Sequence, residues 1–471
     1  MAAAHAAPRR HFAARLGPLL FLVAVCLVFA NFDIGFRVTA DQVQDTHYVI
    51  THRLSEILSH DFAAATHQGR IGHLLVLPLT SLGSSIGDAF FYPLLCLGIF
   101  VGLIYSIFRW VELVVVGRVA LPLTAAYLAF LPLGFQHWLP NAYPMQFLPL
   151  ALGLVARNLL LARADLGTPQ RLGLLFAVLL AAVSYEMAFA ILVAMTITDA
   201  AATLTAPEQG QARGLDRRFV IVQCVVLGVS LAATLGFRLI FPSSYEGNQP
   251  ADLAMLTMAV PTALRHIASS SSADLIWERW SEQAFPASTV AYAGIVATGL
   301  AVGAARLAWP RRRRALLLAG GGILIAATVA LAVGSVSKYI EWCLTLEECR
   351  YIDSRFALSG LIIAGVALAV FFLGDRAARA LLVVIVATAG FLTTAYNLGE
   401  RPKLDFGRRA EDIAKRFVCE NPDPLTDSRA VAKALAELPV SFHPHYTVAS
   451  KRDYWASYIG HLRSTSLWRC P

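Results

Sequence analysis

Residues 33–73 concentrate side chains that move protons or hold anions. Five of the 12 histidines (His47, His52, His60, His67 and His73) fall there, among Asp33, Asp41, Asp45, Glu56, Asp61 and Arg70. From Asp41 to Leu58 the apolar Val49, Leu54, Ile57 and Leu58 keep helical spacing, which puts Asp41, Asp45, Tyr48 and His52 on one helical face. A carboxylate on such a face can take a proton from a hydroxyl, or two can share a divalent ion. The metal question stays open: no His-Glu-x-x-His pattern and no two His on one helical turn occur here, so zinc is not expected. Each single His also reads as a solvated residue of an interfacial loop. Two carboxylates beside a membrane are harder to explain that way, because charge there is costly unless used.

The membrane itself follows from composition. Of 471 residues 57% are hydrophobic and 15% charged, with mean hydropathy +0.60. Soluble chains carry about 25% charge and about 45–50% apolar residues. A soluble multidomain enzyme, a disordered chain and a small disulfide scaffold are therefore excluded. The net charge of +8 fits lipid headgroups and orientation, and gives no reason to expect nucleic acid as a partner.

Charge-free windows of about span length lie at 16–32, 91–108, 119–135, 219–237, 287–305, 315–337, 356–374 and 381–399, with 143–162 a further span. Segment 172–198 is either one helix that buries Glu186, or two short ones that turn at Ser184-Tyr185-Glu186. Two helices keep Arg109 and Arg118, Arg157, Arg163 and Arg171, Arg213 to Arg218, Arg306 to Arg314, and Arg376 with Arg379 on one side. The positive-inside rule selects that solution. The expected fold is an all-α polytopic membrane protein of about 11 transmembrane helices, N-terminus inside and C-terminus outside. Residues 71–87, broken by Pro78 and a Gly/Ser run, read as a short helix along the outer face. Inside loops would then hold arginines without acidic partners, while acids and histidines gather outside.

Further outside candidates follow from this layout. Cys343 and Cys349 are close enough in sequence to close a disulfide in an oxidising compartment such as a periplasm, and Cys419 with Cys470 forms a second candidate pair. Loop 242–286 sets Tyr245, Glu246, Trp277 and Trp280 beside amides and carboxylates, a mixture that suits sugar faces, although the Trp pair also suits an interfacial belt. Residues 401–471 form a small tail of ordinary polarity, with helical stretches near 408–418 and 428–438.

The order of these parts resembles the GT-C superfamily of integral-membrane glycosyltransferases. A first span leads directly into an outer loop with paired acids, then juxtamembrane helices, Gln68-Gly69-Arg70, many further spans and an outer tail. The resemblance covers roughly residues 1–400, in layout more than in letters, with 33–90 as the first outer loop. It implies transfer of a sugar from a polyprenyl-phosphate donor to a cell-surface glycan or lipid acceptor, on the periplasmic face of a bacterial inner membrane. By resemblance, Asp45 and then Asp41 match the catalytic carboxylate; the family's adjacent acid pair is absent, so the choice between them stays open. Arg70 matches the basic residue of the Gly-Arg element, and Ser354-Arg355-Phe356 the Arg-aromatic element that holds lipid phosphate. Tyr185-Glu186 resembles an outer-tip acid of some members. His47, Gln68, Glu186 and Tyr245 are thereby placed with substrate. No cofactor is required beyond a possible divalent ion. A lipid-linked glycan polymerase or ligase, a flippase or transporter, and a scaffold are the alternatives. No internal repeat of the transporter kind is visible.

Overall fold

The structure, a computed structural model, describes residues 7–31, 47–49, 51–86, 91–132, 147–163, 165–205, 215–244, 253–278, 285–310, 312–334, 336, 340, 343 and 354–400. Among these no β-strand occurs, and an isolated β-bridge joins Arg118 to Ala308. The helices are α1 (Ala7–Asn31), α2 (Leu54–Gln68), α3 (His73–Ile86), α4 (Phe91–Val115), α5 (Ala120–Ala129), α6 (Leu148–Ala162), α7 (Thr168–Ser184) and α8 (Glu186–Thr205). Then follow α9 (Arg217–Ile240), α10 (Leu253–Ser269), α11 (Ala273–Glu278), α12 (Ala287–Ala304), α13 (Arg312–Gly334), α14 (Ser354–Leu373) and α15 (Asp375–Glu400). Seven of them, α4, α8, α9, α12, α13, α14 and α15, are long and apolar enough to cross a membrane. These are the marks of a multi-pass helical membrane protein. Eleven were expected; among the described residues the Gly17–Ala30 stretch of α1, and α5, α6 and α7, are further apolar helical stretches of 10–17 residues.

Small residues let the bundle close, as they must where lipid supplies no hydrophobic drive. A Cβ on Gly322 would lie 2.5 Å from the Gly360 carbonyl, so α13 and α14 touch backbone to backbone. Gly299 meets Leu20 of α1 in the same way, and Gly153 meets Ala181 between α6 and α7.

Residues 172–198 do form two helices. Tyr185 is extended (φ −159°, ψ 141°), and Glu186 opens α8, where its carboxylate sits at the positive helix end. Two short helices, α2 and α3, follow the first one, but the helix expected over Asp41–Leu58 is not continuous. It breaks at His52 and Arg53, and Arg53 caps α2, with Glu56 Oε2 accepting from its backbone N–H at 2.8 Å. Segment 242–286 is not a simple loop, since α10 lies in it and packs on α13. The serine run ends α10 and docks it on the end of α5: Ser272 N–H donates to the Phe130 carbonyl at 2.9 Å.

Contacts between distant helix ends sort the two ends of the bundle. At one end Arg118 and Ala308 exchange backbone bonds of 3.0 and 3.1 Å, Trp309 N–H donates to Asp375 at 2.8 Å, and Arg314 reaches the Val114 carbonyl. Three arginine groups of the expected inside loops thus meet at one end. The expectation that these arginines lack acids is overturned. Arg109 pairs with Glu112, whose other oxygen accepts from the Val119 and Ala120 N–H groups at 3.0 Å and caps α5; Arg379 pairs with Asp375 at 2.7 Å.

Arg157 is the larger correction. It is not in a loop but fully buried, ion-paired with a fully buried Asp199. Trp110 Nε1 donates to the same carboxylate at 2.9 Å, and the guanidinium lies 6.0 and 5.5 Å from the Trp110 and Phe219 rings. One pair therefore ties α4, α6, α8 and α9. A buried pair broken on one side leaves a naked charge, costing about 3–5 kcal/mol, whereas replacing both by apolar groups can be neutral. Asp199→Leu is thus expected to lower stability in mild detergent by that amount, and Arg157→Met/Asp199→Leu to recover most of it; equal stability for both variants would contradict the pairing.

Candidate functional site

At the opposite end the Gln68-Gly69-Arg70 element is held from three sides. Gly69 takes φ +62°, the left-handed region that favours glycine, and ends α2 by donating to the Ala65 and Thr66 carbonyls. A side chain there would press on the Phe241 carbonyl at 2.9 Å. Next to it, Ser244 N–H donates to the His67 carbonyl at 3.0 Å, and its hydroxyl lies 2.7 Å from His67 Nδ1. Gly72 lies flat against the end of α7, where a Cβ would fall 2.2 Å from the Ser184 carbonyl. Any larger residue at 72 must therefore push the α2–α3 corner off the bundle.

This seating delivers Arg70 to Glu186. Arg70 Nε donates to Glu186 Oε1 at 2.9 Å across 116 residues of sequence, and its guanidinium lies 5.9 Å from the Tyr185 ring. A second cation shares that oxygen: Arg238 Nη2, near the end of α9, lies 3.7 Å away. His73 is buried beside them. Burial first, and the Arg70 charge second, pull its pKa from 6.5 down to about 4 against the opposing pull of Glu186, so the ring is neutral at ordinary pH. Its Nδ1 has no hydrogen-bond partner among the described residues.

Arg355 opens α14 at the same end and is 2% exposed, its guanidinium 5.6 Å from the Phe100 ring. Tyr185, Phe147 and Phe356 form a chain of edge contacts, at 6.2 and 5.3 Å, between the Arg70 and Arg355 neighbourhoods. The two arginines sit on one side of the molecule, separated by aromatic rings.

The remaining first-loop groups cluster on α2. Tyr48 stacks on His52 at 4.0 Å and leans on His60 at 4.3 Å. Asp61, 5% exposed, accepts from Ser81 of α3 at 3.5 Å and lies 3.7 Å from His60 Nδ1. Burial pushes its carboxyl above the ordinary range, against the pull of His60 and Ser81.

Of the expected site residues, Arg70 and Glu186 are in direct contact, and Gln68 and Arg355 lie at the same end. His47 lies on the short helical stretch that also carries Tyr48, where its carbonyl accepts from Thr51 at 2.7 Å. Asp41, Asp45, Tyr245, Cys349, Cys419 and Cys470 lie outside the described residues. Cys343 is fully buried and is not among the free thiols, which are Cys26, Cys96 and Cys224 among the described residues. No cluster of three or more His, Cys, Asp or Glu suited to a metal ion occurs among the described residues.

Sequence reading missed Arg238 and Asp199. Both sit in the last third of apolar helices, where a single charge looks like a helix-end residue. An arginine and an acid at similar depth, Arg157 and Asp199, were the one available signal.

The fold defines a multi-pass helical membrane protein with Arg70, Arg238 and Arg355 at one end of its bundle. No family model, curated protein or solved structure matches the chain.

A neutral buried His73 makes stability pH-dependent. The unfolded ring takes a proton near pH 6.5 and the folded one only near pH 4. Its contribution is complete above pH 6.5 and is lost as pH falls toward 4, on the order of 3 kcal/mol. Unfolding in detergent between pH 7.5 and 4 should show that decline, and His73→Gln should flatten it; an unchanged slope in the variant would refute the assignment.

Proposed function

We propose that the chain is a GT-C-like membrane glycosyltransferase that moves a sugar from a polyprenyl-phosphate donor to a cell-surface glycan or lipid acceptor. The observation that carries this reading is the Arg70–Glu186 contact. It joins two elements which the resemblance singles out, the Gly-Arg element and the outer-tip acid, although they lie 116 residues apart. Arg355 at the same end supports it, because transfer from a lipid phosphate needs cations where negative charge develops on the leaving group.

On this reading the seven long apolar helices and the four shorter ones make eleven spans. The end holding Arg118, Arg314 and Arg379 faces the cytoplasm of a bacterial inner membrane, and Arg70 faces the periplasm. Residues 401–471 form a periplasmic tail, and Cys343 pairs with Cys349 there. Asp45, with Asp41 as the alternative, takes the acceptor proton as the hydroxyl attacks the anomeric carbon; the sugar–phosphate bond breaks and the lipid phosphate leaves. Were a divalent ion used, Asp41 and Asp45 would be the residues to hold it, and it would supply positive charge beside the leaving phosphate. Arg70 and Arg355 receive the phosphate, while His47, Gln68 and Tyr245 line the substrate.

A second reading, a lipid-linked glycan polymerase or ligase, draws on the same observation that arginines and a histidine crowd this end. Product length separates the two: one sugar added per acceptor, or a lengthened chain.

Purified protein in lipid nanodiscs, given a polyprenyl-phosphate sugar and cell-envelope acceptor, should form a new glycosidic bond. Asp45→Asn or Asp41→Asn should lower turnover by about 100-fold or more while insertion and folding stay intact. Full activity in both variants would remove the catalytic role of this loop.

A further inference from the structure

Arg238 belongs to no motif, yet it is placed with care. It stands two residues before the end of α9, and its Nη2 lies 3.7 Å from the Glu186 oxygen that also takes Arg70 Nε at 2.9 Å. Two guanidinium groups drawn to one carboxylate leave one positive charge, since His73 beside them is neutral. The donors are not used up. Arg238 Nε is buried with no hydrogen-bond partner among the described residues. Buried donors of this kind are costly unless something accepts from them.

The approach to the site is equally specific. Of the seven long helices α9 is the least buried among the described residues. Arg238 itself is 41% exposed and Arg70 17%. A lipid-borne phosphate approaching along α9 would meet the more exposed Arg238 before Arg70, and a guanidinium suits a phosphate as a forked N–H donor. Glu186 repels a phosphate directly, and its place is between the two cations, where it fixes their orientation.

We propose that Arg238 is a second cation for the phosphate of the lipid-borne donor, and that Glu186 is a positioning residue which sets Arg70 and Arg238 on either side of it. This rests on the glycosyltransferase reading for the identity of the donor. It departs from the sequence expectation that Glu186 binds substrate.

The test uses the full chain in phosphatidylcholine nanodiscs, with polyprenyl phosphate as the binding probe and polyprenyl-phosphate sugar for kinetics. Arg238→Gln should weaken polyprenyl-phosphate binding about 10- to 100-fold and raise KM for the donor with little change in kcat. Arg238→Lys should recover part of the loss, which guards against a folding effect. Glu186→Gln should raise KM in the same way, with partial rescue by Glu186→Asp. Inorganic phosphate should compete with the lipid probe in the wild type and more weakly in Arg238→Gln, showing that the phosphate itself is read. Displacement of the probe by phosphatidylglycerol at equal concentration would make this a general headgroup site and overturn the proposal. Wild-type binding retained at full strength in Arg238→Gln would overturn it as well. Failure of the transferase reading looks different: the wild type would then bind no polyprenyl phosphate and transfer no sugar.

Discussion

A charge inside a bilayer must find another charge, and the architecture is arranged around that rule. Within the bundle the rule is met by Arg157 and Asp199, both fully buried, with Trp110 donating to the same carboxylate. Because the pair joins α6 to α8, and its aromatic neighbours belong to α4 and α9, it fixes the four helices whose far ends carry the site. Glu186 and Asp199 lie on the same helix, so the pair at one depth holds the helix that presents Glu186 at the other.

The site end obeys the same rule less completely. Glu186 faces two guanidinium groups, and the balance is positive. Backbone contact, not side-chain charge, makes this possible. Gly69 and Gly72 allow the α2–α3 corner to lie against the ends of α9 and α7 so closely that a methyl group at either would collide with a carbonyl. Arg70 sits between those two glycines. Its direction is set by a turn that only glycine adopts readily, followed by a contact that only glycine permits.

Much of the fold was legible because hydrocarbon imposes a simple length rule. The break at Tyr185 was readable from Glu186 in an apolar run together with the placement of arginines. Gln68-Gly69-Arg70 and Ser354-Arg355-Phe356 were visible as short polar elements, and the structure puts both at one end. What stayed hidden depends on partners distant in sequence. Arg157 looked like a loop residue because hydropathy weighs each helix alone, while its burial depends on Asp199, 42 residues further on. Arg238 was invisible for the same reason. The α2 start at Leu54 was missed because Glu56 folding back on Arg53 outweighs a helical apolar pattern that continues across it.

Central to the proposed function is that a lipid-borne phosphate is received at the Arg70–Glu186 end of the bundle. A photoreactive polyprenyl phosphate, crosslinked to the full chain in nanodiscs and mapped by peptide mass spectrometry, tests it most directly. The account predicts labelling within residues 67–73, 183–190 and 236–244, suppressed by excess unlabelled polyprenyl phosphate. Labelling concentrated instead around residues 109–118 and 306–314, at the opposite end, would contradict it.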